Sequence, residues 1–159
     1  MLQPSYPLIC VSKDNSIVLV PAEHYFTKVA ISALIDPGIF QETSLFDGNG
    51  NEWTYQMVSD KFKNTFWTRL LARTFYNPRV EAKIVWTKVA DYRLDELKDK
   101  LKDCVDKDDD IITQFEEADV IKTAIDKTAV FDDLIKVLNK YVFEVDEEEL
   151  WNEKKSQQK

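Results

Sequence analysis

The chain opens with two short apolar runs, Leu8 to Val11 and Ile17 to Val20, on either side of the polar stretch Ser12-Lys13-Asp14-Asn15-Ser16. β-Branched runs of this length around a polar turn predict a strand hairpin. Because each run is apolar at successive positions, both strands are expected in the interior of a sheet. After Pro21 the period lengthens. Phe26, Val29, Ala30, Ala33 and Leu34 recur at helical spacing, so an amphipathic helix is expected, ended by Asp36-Pro37-Gly38. Leu45-Phe46 then leads into Asp47-Gly48-Asn49-Gly50-Asn51, residues that tolerate positive φ and favour a tight turn, which predicts a second hairpin. Its outgoing strand alternates, with Trp53, Tyr55 and Met57 on one face and Glu52, Thr54 and Gln56 on the other. Residues 59–76 carry both periods: Phe62, Phe66 and Leu70 fit a helix, whereas Leu71, Arg73 and Phe75 fit a strand, and Asn77-Pro78 closes the segment. Val80, Ala82, Ile84 and Trp86 alternate with Glu81, Lys83, Val85 and Thr87, the pattern of a half-buried strand.

From Asp91 onward the period is helical. Leu94, Leu97, Leu101, Cys104 and Val105 form one stripe, with Asp91 as its expected N-cap. Val120, Ile121, Ala124 and Ile125 form a shorter one. Phe131, Leu134, Ile135, Leu138, Tyr141 and Val142 form the strongest, with Thr128 as its expected cap. Strands first and helices afterwards predict an α+β fold: a mainly antiparallel sheet from the N-terminal half, helices packed on one face of it, and a helical C-terminal half. A chain of 159 residues is expected to form a single domain, residues 1–151, with a polar tail at 152–159 that frays.

Charge adds what periodicity cannot. The net charge is −8, but residues 1–80 hold seven basic and seven acidic side chains while residues 81–159 hold fourteen and twenty-two. An acidic half repels nucleic acid and anionic membrane and attracts basic partners. No apolar run approaches the roughly 20 residues of a membrane-spanning helix. Met1 to Pro7 contains no Lys or Arg, so no secretory leader is read and a cytoplasmic location is expected. Cys10 and Cys104, each in an apolar setting, are expected to be free thiols.

Most catalytic signatures are missing from the sequence. There is one histidine, His24, at the start of the first expected helix, and an exposed or capping role suits it better than catalysis. No phosphate loop, GxSxG elbow or CxxC occurs. No cofactor and no enzyme activity are expected, although a pair of catalytic carboxylates would leave no sequence signature. Asp106, Asp108, Asp110 and Glu117 fall at positions 1, 3, 5 and 12 of a calcium-loop spacing. Ile111, however, stands where the sharp turn needs Gly, so no metal site is expected.

The same stretch reads better as a docking surface. Residues 105–119 hold seven acids and one Lys, and Asp106, Asp108, Asp109, Asp110, Glu116 and Glu117 are the candidate partner-binding residues. A second acidic cluster, Glu144 and Asp146 to Glu149, reads as a solubility feature. Of the tryptophans, Trp53 and Trp86 lie on apolar strand faces and are expected in the core. Trp151, after the acidic run, is expected to fold back as an anchor.

The stretch from Tyr6 to Pro21 (Tyr-Pro-Leu-Ile-Cys-Val-Ser-Lys-Asp-Asn-Ser-Ile-Val-Leu-Val-Pro), the expected helix after it and the Asp47–Asn51 hairpin resemble the immunity proteins of bacterial contact-dependent growth inhibition and other polymorphic toxin systems. The resemblance covers the first half of the chain. It implies a cytoplasmic antitoxin that binds a cognate toxin domain, expected to be basic and nuclease-like, and neutralises it by stoichiometric occlusion of its active site or substrate groove. Adaptor or scaffold subunit of a larger assembly is the alternative from another class, followed by an enzyme with an unrecognised carboxylate site.

Overall fold

A computed structural model describes residues 2–35, 43–60, 65–72, 79–108 and 111–143. The elements in order are β1 (Leu8–Val11), β2 (Ile17–Val20), a 3-10 turn (Glu23–Phe26), β3 (Lys28–Ala30), α1 (Ile31–Ile35), β4 (Ser44–Phe46), β5 (Asn51–Val58), α2 (Phe66–Ala72), β6 (Arg79–Glu81), β7 (Lys83–Asp91), α3 (Leu94–Asp106), α4 (Ala118–Asp126) and α5 (Phe131–Tyr141). The fold is α+β, and the N-terminal half supplies most of a five-stranded antiparallel sheet of order β2-β1-β4-β5-β7. The C-terminal half is not helical from its start, because β7 runs to Asp91 before the first long helix begins. By its contacts the chain divides into two compact units, residues 1–14 with 18–92, and residues 15–17 with 93–159.

In the first unit, the two apolar runs do not share one fate. β1 is interior, with Leu8, Ile9 and Val11 buried. β2 is an edge strand and leaves Val18 exposed, which corrects the expectation that both would be central. An apolar run shows that side chains can be buried; it does not show that both backbone edges find partners. The larger correction concerns residues 26–34. Instead of one helix, the chain makes a 3-10 turn, a three-residue strand and a five-residue helix. Long-range pairing overrides the local period here: Val29 lies opposite Val80 in the β3–β6 ladder, and the Ala82 amide donates to the Thr27 carbonyl.

Ala82 is also where one alternating stretch becomes two strands, β6 pairing with β3 and β7 with β5. Side-chain burial nonetheless alternates as expected, with Ala82 buried, Val80, Ile84 and Trp86 half-buried, and Glu81, Lys83, Val85 and Thr87 exposed. Near its end β7 bulges. Glu52 pairs with Ala90 but Trp53 pairs with Lys88, so Val89 has no residue opposite. A bulge together with Lys83 and Lys88 makes this edge a poor template for a further strand.

Leu8, Val20, Phe26, Leu45, Trp53 and Tyr55 form the apolar cluster on one face of the sheet. Phe26 sits at its centre, its ring 5.0 Å from that of Tyr55 and 5.5 Å from that of Trp86. The expected second hairpin is present as β4–β5, and its turn is built on Asp47. This carboxylate is fully buried. It accepts the Asn49 and Asn51 amides at 3.0 Å each, the Asn51 side-chain amide at 3.1 Å, and the Trp53 indole N–H at 2.8 Å. The Ser5 amide approaches it from the N-terminal segment. Burial pushes its pKa up, but the hydrogen bonds from Asn51, Trp53 and Ser5 outweigh burial and hold it below the usual carboxylate range. Gly50, at φ +78, is required in the same turn: an added Cβ would lie 3.2 Å from the Tyr92 carbonyl oxygen, and positive φ favours glycine.

The second unit is helical from Leu94. Leu97, Leu101, Cys104 and Val105 of α3 are buried, as are Ile121 and Ile125 of α4 and Leu134 and Leu138 of α5. The stripes are as expected except that Val120, placed on the α4 stripe, is exposed; the caps are not as expected. Asp91 is the last residue of β7, and Arg93 is the N-cap of α3, where the Glu96 carboxylate accepts the Arg93 amide at 2.9 Å. Thr128 does not open α5, whose N-cap is Val130; its hydroxyl instead donates to the Ile125 carbonyl at 2.7 Å and closes α4. Lys98, a charged residue on the α3 stripe, is buried and donates to the Thr128 and Asp126 carbonyls. A cation at these carbonyls also opposes the negative end of the α4 dipole.

Candidate protein-docking surface

The described ones among the expected docking residues lie at the end of α3 and on the way into α4, and the structure divides their roles. Asp106 is the last residue of α3 and pairs with Lys122 of α4 at 2.6 Å. Lys122 also reaches Asp119 at 3.2 Å, so one lysine ties the end of α3 to the start of α4. Both carboxylates lie largely in solvent, where such pairs contribute little to stability.

Asp108 has a different task. Its carboxylate accepts the Ile111 amide at 3.1 Å, the Ile112 and Thr113 amides at 2.8 Å each, and the Thr113 hydroxyl at 2.9 Å. Desolvation pushes its pKa up, yet the bonds from Ile112, Thr113 and Ile111 hold it below the usual range. Asp108 therefore folds the turn, as aspartates do when they accept amides a few residues ahead. The result is to bury Ile112 while Ile111 stays exposed, so only one of that apolar pair packs inward.

Asp109, Asp110, the cluster at Glu144–Glu149, Trp151 and the tail from 152 lie outside the described residues. Glu117 is the N-cap residue of α4 through its backbone; its side chain makes no cap bond and is exposed. Glu116 accepts the Glu117 amide at 3.1 Å and is half-buried. Of the six expected docking residues, Glu117 is thus the described one whose carboxylate neither pairs with a lysine nor bonds the turn, and Glu116 makes one local bond there.

The first unit carries a surface that sequence reasoning missed. The segment at 59–76, ambiguous in sequence, contains α2, and Thr65 opens this helix. The Thr65 amide donates to the Thr68 hydroxyl at 2.8 Å, and the Thr68 amide donates to the Thr65 hydroxyl at 3.3 Å. On the helix so fixed, Phe66 is 72% exposed, Trp67 70% and Leu70 45%. The Phe66 and Trp67 rings meet edge to face with centroids 5.8 Å apart. The spacing of Phe66 and Leu70 signals a helix stripe, but a helical period does not say whether the stripe is covered.

Both cysteines are held as thiols. Cys104 is buried, Cys10 is half-buried, and both are free thiols. Burial pushes the Cys10 thiol up to about 11 and the Cys104 thiol upward as well, so neither is an activated nucleophile near neutral pH. His24 is exposed on the 3-10 turn, its ring 4.5 Å from that of Tyr25. Among the described residues no group of three or more His, Cys, Asp or Glu side chains is gathered as a metal site, and no helix is long and apolar enough to cross a membrane. No protein-family model matches the chain, and the comparisons with curated proteins and with solved structures found no match either.

Proposed function

We propose that the chain is an immunity protein of a polymorphic toxin system, acting in the cytoplasm by binding a basic, nuclease-type toxin domain and occluding its active site or substrate groove. The observation that carries this reading is the segregation of charge. Residues 93–159 hold twenty acidic against twelve basic side chains, while residues 1–80 are balanced. Solubility alone asks for net charge but not for its concentration on one unit. A one-sign field steers an oppositely charged partner and rejects wrong ones. The turn between α3 and α4 offers Glu116 and Glu117 to such a partner on a backbone already held by Asp108, so little ordering is lost on docking. The resemblance of residues 6–21 to immunity proteins points the same way.

An adaptor that holds other proteins together is the second reading, favoured by the exposed Phe66, Trp67 and Leu70. Growth protection separates the two. Cells expressing the C-terminal domain encoded by the gene immediately upstream should stop growing, and co-expression of this chain should restore growth. Arrest that this chain does not relieve, or an upstream product without toxicity, would favour the adaptor.

A further inference from the structure

The turn that carries Glu116 and Glu117 also exposes apolar side chains, which charge steering does not explain. The described residues of the second unit expose four large apolar side chains, Ile111, Phe115, Val120 and Val130. The first three fall within ten residues, between the end of α3 and the first turn of α4. Ile111 is 66% exposed, Phe115 44% and Val120 41%. Their backbone is held at both ends. Asp108 accepts the Ile111, Ile112 and Thr113 amides, and the Glu117 carbonyl accepts the Val120 and Ile121 amides at 3.0 and 3.2 Å. With Ile112 buried, Ile111 is turned outward. Large apolar side chains on an ordered backbone give residence when a partner covers them, at little cost in ordering. The charges around them narrow the occupant. Among the described residues of 106–122 stand five acids, Asp106, Asp108, Glu116, Glu117 and Asp119, against Lys107 and Lys122. Lys122 is already paired with Asp106 and Asp119. A polyanion, or a second copy of this turn, would bring like charge against these carboxylates.

We propose that this turn docks a basic protein that carries an apolar pocket beside its Lys and Arg side chains. Ile111 and Phe115 sit in the pocket, and Glu116 and Glu117 meet the cations at its rim. Docking by this turn is the reading given above; what is added is the means of residence. The carboxylates set the rate of encounter, and the apolar pair sets the rate of release.

The test has two arms. In the first, the full chain, isotope-labelled for NMR, is titrated at low salt with a short synthetic amphipathic helix of Lys and Leu as the probe. Amide shifts are expected to concentrate at residues 111–120, and Ile111→Ala and Phe115→Ala should each weaken binding about tenfold. The same peptide with every Leu replaced by Ser should bind correspondingly worse. In the second arm, surface plasmon resonance follows the domain encoded by the upstream gene. Both variants should speed its dissociation about tenfold and leave association nearly unchanged, the opposite of reversing Glu116 and Glu117. Ile111 is mostly exposed, so Ile111→Ala should unfold within about 2 °C of the native midpoint and decides the matter if Phe115→Ala is less stable. A native complex from which both variants dissociate at the native rate overturns the anchors and leaves the immunity reading intact. Failure of the upstream domain to bind, with the peptide still mapped to 111–120, overturns the immunity reading alone. The anchors are also overturned by absence of shifts at millimolar peptide, by shifts that fall elsewhere, by peptide binding that both variants leave unchanged, or by dimerisation of the chain that Ile111→Ala abolishes.

Discussion

Asp47→Ala is expected to destabilise the protein by about 3–5 kcal/mol, the cost of stripping a buried carboxylate from the donors that surround it. The substitution leaves the Trp53 indole N–H and the Asn49 and Asn51 amides without their side-chain acceptor. The loss propagates, because the Asp47 carbonyl also accepts the Tyr92 hydroxyl and the Gly50 amide, so the β4–β5 turn and the end of β7 share one residue. For a chain of this length the unfolding midpoint should fall by about 6–20 °C. Acid gives an independent reading. Asp47 is held below its ordinary pKa, so it binds fewer protons folded than unfolded, and its stabilisation is fully present above an unfolded value of about 3.9. That stabilisation is lost as pH falls through the depressed folded value. The gap between native protein and Asp47→Ala should therefore be widest above pH ~5 and narrow in stronger acid. A midpoint shift under about 2 °C at pH 7 would mean that the hairpin does not depend on this carboxylate.

The second large effect separates charge that folds from charge that docks. Reversing Glu116 and Glu117 to Lys is expected to slow association with a basic partner about tenfold at low salt while leaving dissociation nearly unchanged, the mark of charges at an interface rim. The difference should shrink at 0.5 M salt, where the screening length falls to about 4 Å. Glu117 makes no cap bond and Glu116 only a single bond to the Glu117 amide, so the variant should unfold within about 2 °C of the native midpoint. Asp108→Ala should behave in the opposite way. It frees three amides and a hydroxyl in a partly buried turn, costs about 1–3 kcal/mol, and lowers the midpoint whether or not a partner is present. Equal association rates for the native chain and the Glu116/Glu117 variant at low salt would remove this turn from the docking surface.

These contrasts follow what was legible in the sequence and what was not. The stripes of α3 and α5 were readable because each sustains a helical period over more than ten residues, long enough for periodicity to outweigh local accidents. The β4–β5 hairpin was readable from Asp47–Asn51, whose residues suit positive φ. Residues 26–34 misled because Val29 is paired with the distant Val80, information that no local window contains. The caps failed for a related reason. Asp91 and Thr128 are good N-cap residue types, but the β7 ladder takes one and the end of α4 takes the other.

At the proposed docking surface the position was legible and the role was not. Seven acids in fifteen residues marked the turn, yet composition could not tell Asp108, turned inward onto three amides, from Glu117, turned out to solvent. An Asp just past a helix end and ahead of a polar turn is the signal that would have found it. On α2 the period was right and the inference from it incomplete, since a helical stripe can be apolar without being covered.

The central claim is that the acidic helical unit binds a basic toxin domain in a one-to-one complex, and calorimetric titration of the purified chain into the purified domain encoded by the upstream gene tests it most directly. A single-site isotherm with one-to-one stoichiometry, and an affinity that weakens at least tenfold between 50 mM and 500 mM salt, is the predicted result. Absence of heat and of complex at micromolar concentrations, or an affinity indifferent to salt, would contradict it.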